Sequence, residues 1–306
     1  MAYAKPVKAI AVELGRACES GDLSRIENLL AMGADPNELD ARGFLPLCLA
    51  AGHGGVEALS LLLSKGAILD GRDRESKMAL HWACVGNAPC VEFLLEKGAK
   101  LDARCAPGRA APIHVAIMES MDCSVTNKIV GMLLEFGAEM EGLDSKGSTP
   151  LLMAAARGLG QVVSELLDFG ADIEAKNERT GETSLMLAAS VGSAESVGKL
   201  LADGARVDPL DKDGWSALRH AAKSGSVKCC EFLMGAGAQH GELCVVGKSP
   251  VEAARENGHK DLADWLSCAK LASDEKSEIG KILEKAAPNQ EPAPEKARQR
   301  KEKTRL

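Results

Sequence analysis

Apolar residues along this chain fall in pairs of short stretches at helical spacing, separated by polar turns marked with glycine. Residues 144–174, DSKGSTPLLMAAARGLGQVVSELLDFGADIE, show the pattern in full. Asp144, Ser145, Lys146 and Gly147 are turn chemistry. Thr149 and Pro150 predict a helix start: a hydroxyl caps a free N–H, and the N–H that proline lacks would have been an orphan there. Leu151, Ala154 and Ala155 follow at helical spacing, with small residues where another helix must come close. Gly158 ends that helix. Val162, Val163, Leu166 and Leu167 form one face of a second helix, which Gly170 ends. The unit is helix–turn–helix–turn, and neither helix is apolar enough to stand alone.

The Gly-Ala pair that closes each second helix recurs at Gly33-Ala34, Gly66-Ala67, Gly98-Ala99, Gly137-Ala138, Gly170-Ala171, Gly204-Ala205 and Gly237-Ala238. The spacings are 33, 32, 39, 33, 34 and 33 residues. First helices are marked by LPLCLAA (45–51), ALHWAC (79–84), APIHVAI (111–117), TPLLMAA (149–155), TSLMLAA (183–189) and SALRHAA (216–222). A period of about 33 residues with a T-P-L-H-x-A helix start is the ankyrin signature. On these motifs the chain resembles the ankyrin-repeat family over residues 9–271. The resemblance implies an all-α solenoid of paired helices with protruding β-turn fingers, and protein binding rather than chemistry.

The expected organisation is a loose arm (1–8), an N-capping repeat (9–39), six full repeats (40–243), a C-capping unit (244–271) and a disordered tail (272–306). Glu13, Arg16 and Glu19 share the first helix, as suits a cap whose outer face meets water. The second repeat lacks one residue near Val85 and Gly86, and Leu45 cannot cap its helix as a threonine does. The third finger, Ala106-Pro107-Gly108-Arg109, suits a type II turn with Gly108 at positive φ. About six extra residues, Ser120–Val125, fall between the helices of that repeat, on the rim opposite the fingers. The tail carries nine Lys/Arg against seven Asp/Glu from Ser273 on, a net +2, which leaves −9 on the rest of a chain of −7. Its charge and proline content predict disorder, with a short helix over 278–286.

Composition narrows the chemistry. The nine aromatics are few, which suits thin helical layers, and no run approaches the roughly 20 apolar residues of a membrane helix. The first residues lack an apolar stretch with a cleavage site, so no secretory signal is expected. Ten cysteines, with no C-x-x-C among them, predict buried free thiols in a reducing compartment, cytoplasmic or nuclear. Cys229-Cys230 is the one adjacent pair. Residues 241–249, GELCVVGKS, miss the phosphate-loop spacing by one residue, and Pro250 follows. No catalytic, cofactor or metal motif is present, so a non-enzymatic chain without cofactor is expected. His81 and His114 hold the family's histidine position, whose imidazole binds backbone of the neighbouring finger. Trp82 reads as packing, Trp265 as cover for the end of the stack, and Asn37 as a turn clamp or hydroxylation site.

By resemblance to the family, partners meet the finger tips and the inner-helix residues after the two small ones. Those positions hold Arg42, Phe44, His53, Arg74, Glu75, Lys77, Met118, Glu119, Lys146, Arg157, Arg179, Glu182, Lys212, Asp213, Trp215, Lys223, Lys248 and Glu256. Nine bases against five acids give a groove of +4. Phe44 and Trp215 share one repeat position and are expected to be anchors. The expectation is a monomeric scaffold or adaptor that holds an extended acidic or mixed-charge protein segment. Two other readings stand beside it: nucleic-acid binding or nuclear targeting through the basic tail, and an accessory subunit of a separate enzyme. Thr304, Arg305 and Leu306 have the Thr-x-Leu form that a PDZ-type domain captures.

Overall fold

A computed structural model describes residues 7–106, 108–238 and 249–268. The arm before residue 7, Pro107, Cys244, Lys248 with its phosphate-loop-like stretch, and the tail with Thr304, Arg305 and Leu306 lie outside these residues.

The helices alternate between two layers. The inner layer holds α1 (Val7–Ser20), α3 (Pro46–Leu49), α5 (Ala79–Ala83), α7 (Pro112–Glu119), α9 (Pro150–Ala156), α11 (Ser184–Ser190), α13 (Ala217–Ser224) and α15 (Pro250–Glu256). The outer layer holds α2 (Leu23–Ala31), α4 (Val56–Ser64), α6 (Ala88–Glu96), α8 (Cys123–Glu135), α10 (Gly160–Asp168), α12 (Ala194–Ala202) and α14 (Val227–Gly235), followed by α16 at residues 260–268. Inner helices pack on inner, and outer on outer. One continuous core runs from Leu14 to Leu266, and the paired small residues Ala50-Ala51, Ala154-Ala155, Ala188-Ala189 and Ala221-Ala222 are fully enclosed. Trp265 packs against the end of that core. No helix among the described residues is long and apolar enough to cross a membrane.

Local chemistry sets the helix starts. The hydroxyls of Thr149, Thr183, Ser216 and Ser249 accept from backbone three residues on, whereas Leu45 offers no side-chain cap. Helix α3 runs on into a π-helical turn, Ala50–Gly54, closed by Gly55 N–H donating to Ala50 O at 3.0 Å. Gly54 has to be glycine, because a Cβ there would stand 2.2 Å from the carbonyl oxygen of Cys18.

Five of the described fingers are tight turns opened by one polar residue, and the third opens with Cys105 instead, whose N–H donates to Ala110 O at 3.0 Å. Asp40 Oδ1 accepts from Arg42 N (2.9 Å) and Phe44 N (3.0 Å), and Asp73, Asp144, Asn177 and Asp211 do the same in their own fingers. Adjacent fingers are joined by single backbone bonds: Arg74 to Gly43, Ala106 to Glu75, Ser145 to Gly108, Glu178 to Gly147 and Lys212 to Thr180. Among the described residues the closest thing to a strand is one isolated bridge between Lys176 and Thr183. Gly43, Gly147, Gly181 and Gly214 take the left-handed turn position, and in the second finger Ser76 takes it at φ 58°. In the third finger Arg109 is left-handed, at φ 49°. The loops after the outer helices are tied in the same way. Asn37 bridges to the next repeat through Gly66 O (3.0 Å) and Ile68 N (2.8 Å), which is the clamp its position implies.

The extra residues of the third repeat divide into two parts. Ser120–Asp122 form the loop, and Cys123–Val125 lengthen α8 to 13 residues against 9 in α6 and α10. Asp122 caps the helix through Ser124 N at 2.8 Å. Met121 stands 94% exposed in that loop.

Candidate partner-binding groove

In the second and sixth repeats four positions meet at the base of the finger, on the concave side. They are the residue after the turn of the preceding finger, the opening residue of the local finger, the residue after the local turn, and the inner-helix residue that follows the family's histidine position. In the second repeat these are Phe44, Asp73, Lys77 and Trp82. Phe44 meets Trp82 edge-on at 4.9 Å, Trp82 Nε1 donates to Asp73 Oδ2 at 2.9 Å, and Lys77 Nζ lies 5.8 Å over the indole. Behind them is a pocket of about 490 Å³, lined by Gly52, His53, Lys77, His81, Trp82, Val85, Gly86 and Glu119. The absent side chains of Gly52 and Gly86 leave it open beside the ring. In the sixth repeat the same positions hold Glu182, Asp211, Trp215 and His220. His220 Nε2 is 2.9 Å from Asp211 Oδ2, and its ring is 5.2 Å from that of Trp215.

The structure alters the picture of two free aromatic anchors. Phe44 and Trp215 are both half-buried. Phe44 lies against Trp82 with the Arg42 guanidinium 5.3 Å from its ring. Trp215 is covered by Arg219 at 3.9 Å and Lys223 at 4.9 Å. Trp82, which sequence reasoning assigned to packing, is the ring that lines the pocket. Its repeat position, shared with Met153, Leu187 and His220, was the available signal.

The basic residues are also employed differently. Arg42 is held at 2.8 Å by Glu19 and at 2.8 Å by Asp40. The Glu19 hydrogen bond is the largest influence that raises the Arg42 pKa, and Asp40 adds to it. Asp40 titrates below its ordinary value: burial opposes its charge, but the N–H of Phe44 and the Arg42 guanidinium outweigh it. Lys77 lies between Glu75 (3.5 Å) and Glu119 (3.6 Å); burial would lower its pKa, yet these two carboxylates raise it. Arg157 binds the carbonyls of Ile117 and Ser120, so this base holds the Ser120–Asp122 loop. Arg179 binds the carbonyl of Ser145, and Lys212 that of Glu178. A carbonyl leaves the cation's charge uncancelled. In the first half of the groove Arg42 and Lys77 are therefore neutralised by their own ion pairs, and most of the remaining positive character lies in the later repeats, at Lys146, Arg157, Arg179, Lys212 and Lys223. His53, Arg74 and Met118 are exposed.

The histidines at the family position are structural. His81 Nε2 lies 2.9 Å from Ala103 O, and His114 Nε2 lies 2.8 Å from Gly142 O. Burial lowers both pKa values, that of His81 to about 4. Seven of the described cysteines are buried free thiols, while Cys123 and Cys268 are exposed and free. Burial raises Cys229, and raises Cys230 to about 12, the opposite of an activated redox pair.

A family profile described as ankyrin repeats (3 copies) matches residues 14–105, 113–211 and 185–276. The chain belongs to the ankyrin-repeat family. Ankyrin repeats are in general non-enzymatic protein-interaction modules. Among curated relatives, the ankyrin repeat protein nuc-2 of Neurospora crassa is 29% identical over 75% of this chain and 20% of its own length. Human ankyrin repeat and SOCS box protein 16 is 31% identical over 72% of this chain and 49% of its own. The ankyrin chain thus spans half or less of these relatives. The solved ankyrin repeat domain of human ASB11 superposes with a TM-score of 0.64 at 28% identity, covering 73% of this chain and 98% of that one.

Proposed function

We propose that this ankyrin chain is a non-catalytic scaffold whose concave groove holds an extended segment of a partner protein. The observation that carries the reading is the pocket beside Trp82. It offers an aromatic wall and two open glycine positions in a row of charged fingers, and a half-buried aromatic in a pocket is the usual centre of a binding hot spot. Phe44 and Trp215 lie five repeats apart. Stacked helices advance about 10 Å per repeat, so the groove between them runs on the order of 50 Å. An extended chain at about 3.3 Å per residue covers that with roughly 15 residues. The uncancelled bases of the later repeats favour acidic residues in the part of the segment that crosses them, while the neutralised Trp82 end favours an apolar side chain.

Affinity capture with the full chain, run beside Trp82→Ala and Lys146→Glu, tests the reading. A specific partner should be retained by the parent and lost or weakened with Trp82→Ala, by about 2 kcal/mol or more if the ring is a hot spot. Lys146→Glu should slow association and weaken its salt dependence, because exposed charges act mainly on encounter and salt screens the attraction that this base supplies. Partners retained equally by all three chains would move the interface off the groove.

A further inference from the structure

The sixth repeat fills the four-position frame with metal-ligand chemistry. Glu182 comes from the fifth finger, Asp211 opens the sixth, and His220 stands on α13. One donor atom from each lies within 4.8 Å of the other two. His220 Nε2 is 2.9 Å from Asp211 Oδ2 and 3.9 Å from Glu182 Oε1. The other Asp211 oxygen accepts from the N–H groups of Asp213 (2.9 Å) and Trp215 (2.8 Å), so backbone fixes the carboxylate with Oδ2 turned to His220. The second repeat shows the same frame in its packing form, with Phe44 where Glu182 stands and the indole of Trp82 where His220 stands. The sixth repeat keeps the finger aspartate and replaces both apolar groups with donors.

We propose that Glu182, Asp211 and His220 bind one divalent transition-metal ion of the zinc, cobalt and manganese class. Two carboxylates held this close repel each other, and a cation between them turns repulsion into attraction. An imidazole with two carboxylates suits these metals; calcium and magnesium favour oxygen-only shells. Bonds of about 2.1 Å in a tetrahedral shell set donors roughly 3.4 Å apart, and the two imidazole distances bracket that figure. His220 is 8% exposed, whereas the Glu182 side chain is 20% exposed, so the groove side is open to a water or to a partner's donor as a further ligand. Arg219 and Lys223 sit on the Trp215 ring beside the site and weaken the attraction. The ion would fasten the fifth and sixth fingers to α13.

The test is Co²⁺ titration of the reduced full chain, followed by absorption, tryptophan fluorescence and thermal melting, without any peptide. The expected result is one-to-one saturation, quenching of Trp215 and a melting midpoint that rises with metal concentration, since a ligand of the folded state stabilises it. Glu182→Gln keeps the side-chain volume, and circular dichroism checks its fold; together with His220→Asn it should weaken binding at least about tenfold. Absence of saturable binding, binding by both variants as tight as the parent's, or the intense near-ultraviolet band of cobalt–thiolate ligation would each overturn the proposal and leave the three residues as a hydrogen-bonded clamp.

Discussion

The indole Nε1 of Trp82 donates to Oδ2 of Asp73 at 2.9 Å, which ties inner helix α5 to the finger that precedes it. The other oxygen of Asp73 accepts from the N–H groups of Glu75 (2.9 Å) and Lys77 (2.8 Å). One buried carboxylate thus sets both the turn and the ring that lines the pocket. Trp82→Phe keeps most of the packing and leaves that oxygen without its indole partner. It should cost about 1–2 kcal/mol in urea unfolding. A variant as stable as the parent would remove this bond from the account of the finger.

Ser76 holds at φ 58° a turn position that four other fingers give to glycine. A left-handed conformation costs a non-glycine residue roughly 1–2 kcal/mol, and glycine returns part of this through its freer unfolded chain. Ser76→Gly should therefore stabilise the chain by up to about 1 kcal/mol, read as a higher urea midpoint at unchanged slope. A lower midpoint would mean that the finger is not strained.

Ala154 is fully buried between inner helices. Ala154→Glu forces an unpaired carboxylate into that contact and should cost several kcal/mol, on the order of 3–5. Thermal melts by circular dichroism measure it. An unchanged midpoint would contradict the close approach of α9 to its neighbours.

Arg157 spans from α9 to the carbonyls of Ile117 and Ser120. Arg157→Ala should loosen residues 118–124 without unfolding the stack, because units of a solenoid contact only their neighbours. Faster amide exchange confined to that loop is the expected outcome. Unchanged exchange there would show that Asp122 and its cap hold the loop alone.

His81 is buried, and its pKa is lowered to about 4. Its neutral form is therefore favoured in the folded chain, and below its ordinary value of 6.5 the unfolded chain binds the extra proton first. The stability that depends on neutral His81 is complete above pH 6.5 and is lost as pH falls from there towards 4. The slope contributed is at most roughly 1.4 kcal/mol per pH unit. His81→Gln should flatten stability between pH 6.5 and 4 when compared with the parent in urea melts. Parallel pH curves would assign the acid sensitivity to other groups.

The repeat was legible in the chain because it is local. Turn glycines and Thr-Pro helix starts each act within one unit, so the fold follows from position, while the roles of His81, His114 and Asn37, which reach the next repeat, came with the family resemblance. What only the tertiary structure decided is which side chains meet across units. The sequence showed Arg157 and Met118 alike as groove residues, yet the geometry of the Ser120–Asp122 loop gives Arg157 two carbonyls to hold. Phe44 and Trp215 share a repeat position, but their neighbours Trp82 and Arg219 come from later helix positions and cover them. His220 lay outside any motif spacing, because its partners Glu182 and Asp211 reach it only when two fingers stack against α13. Periodicity records the contacts a unit makes with itself, whereas charge pairing and ligand geometry depend on distances between units, which a repeat leaves free to vary.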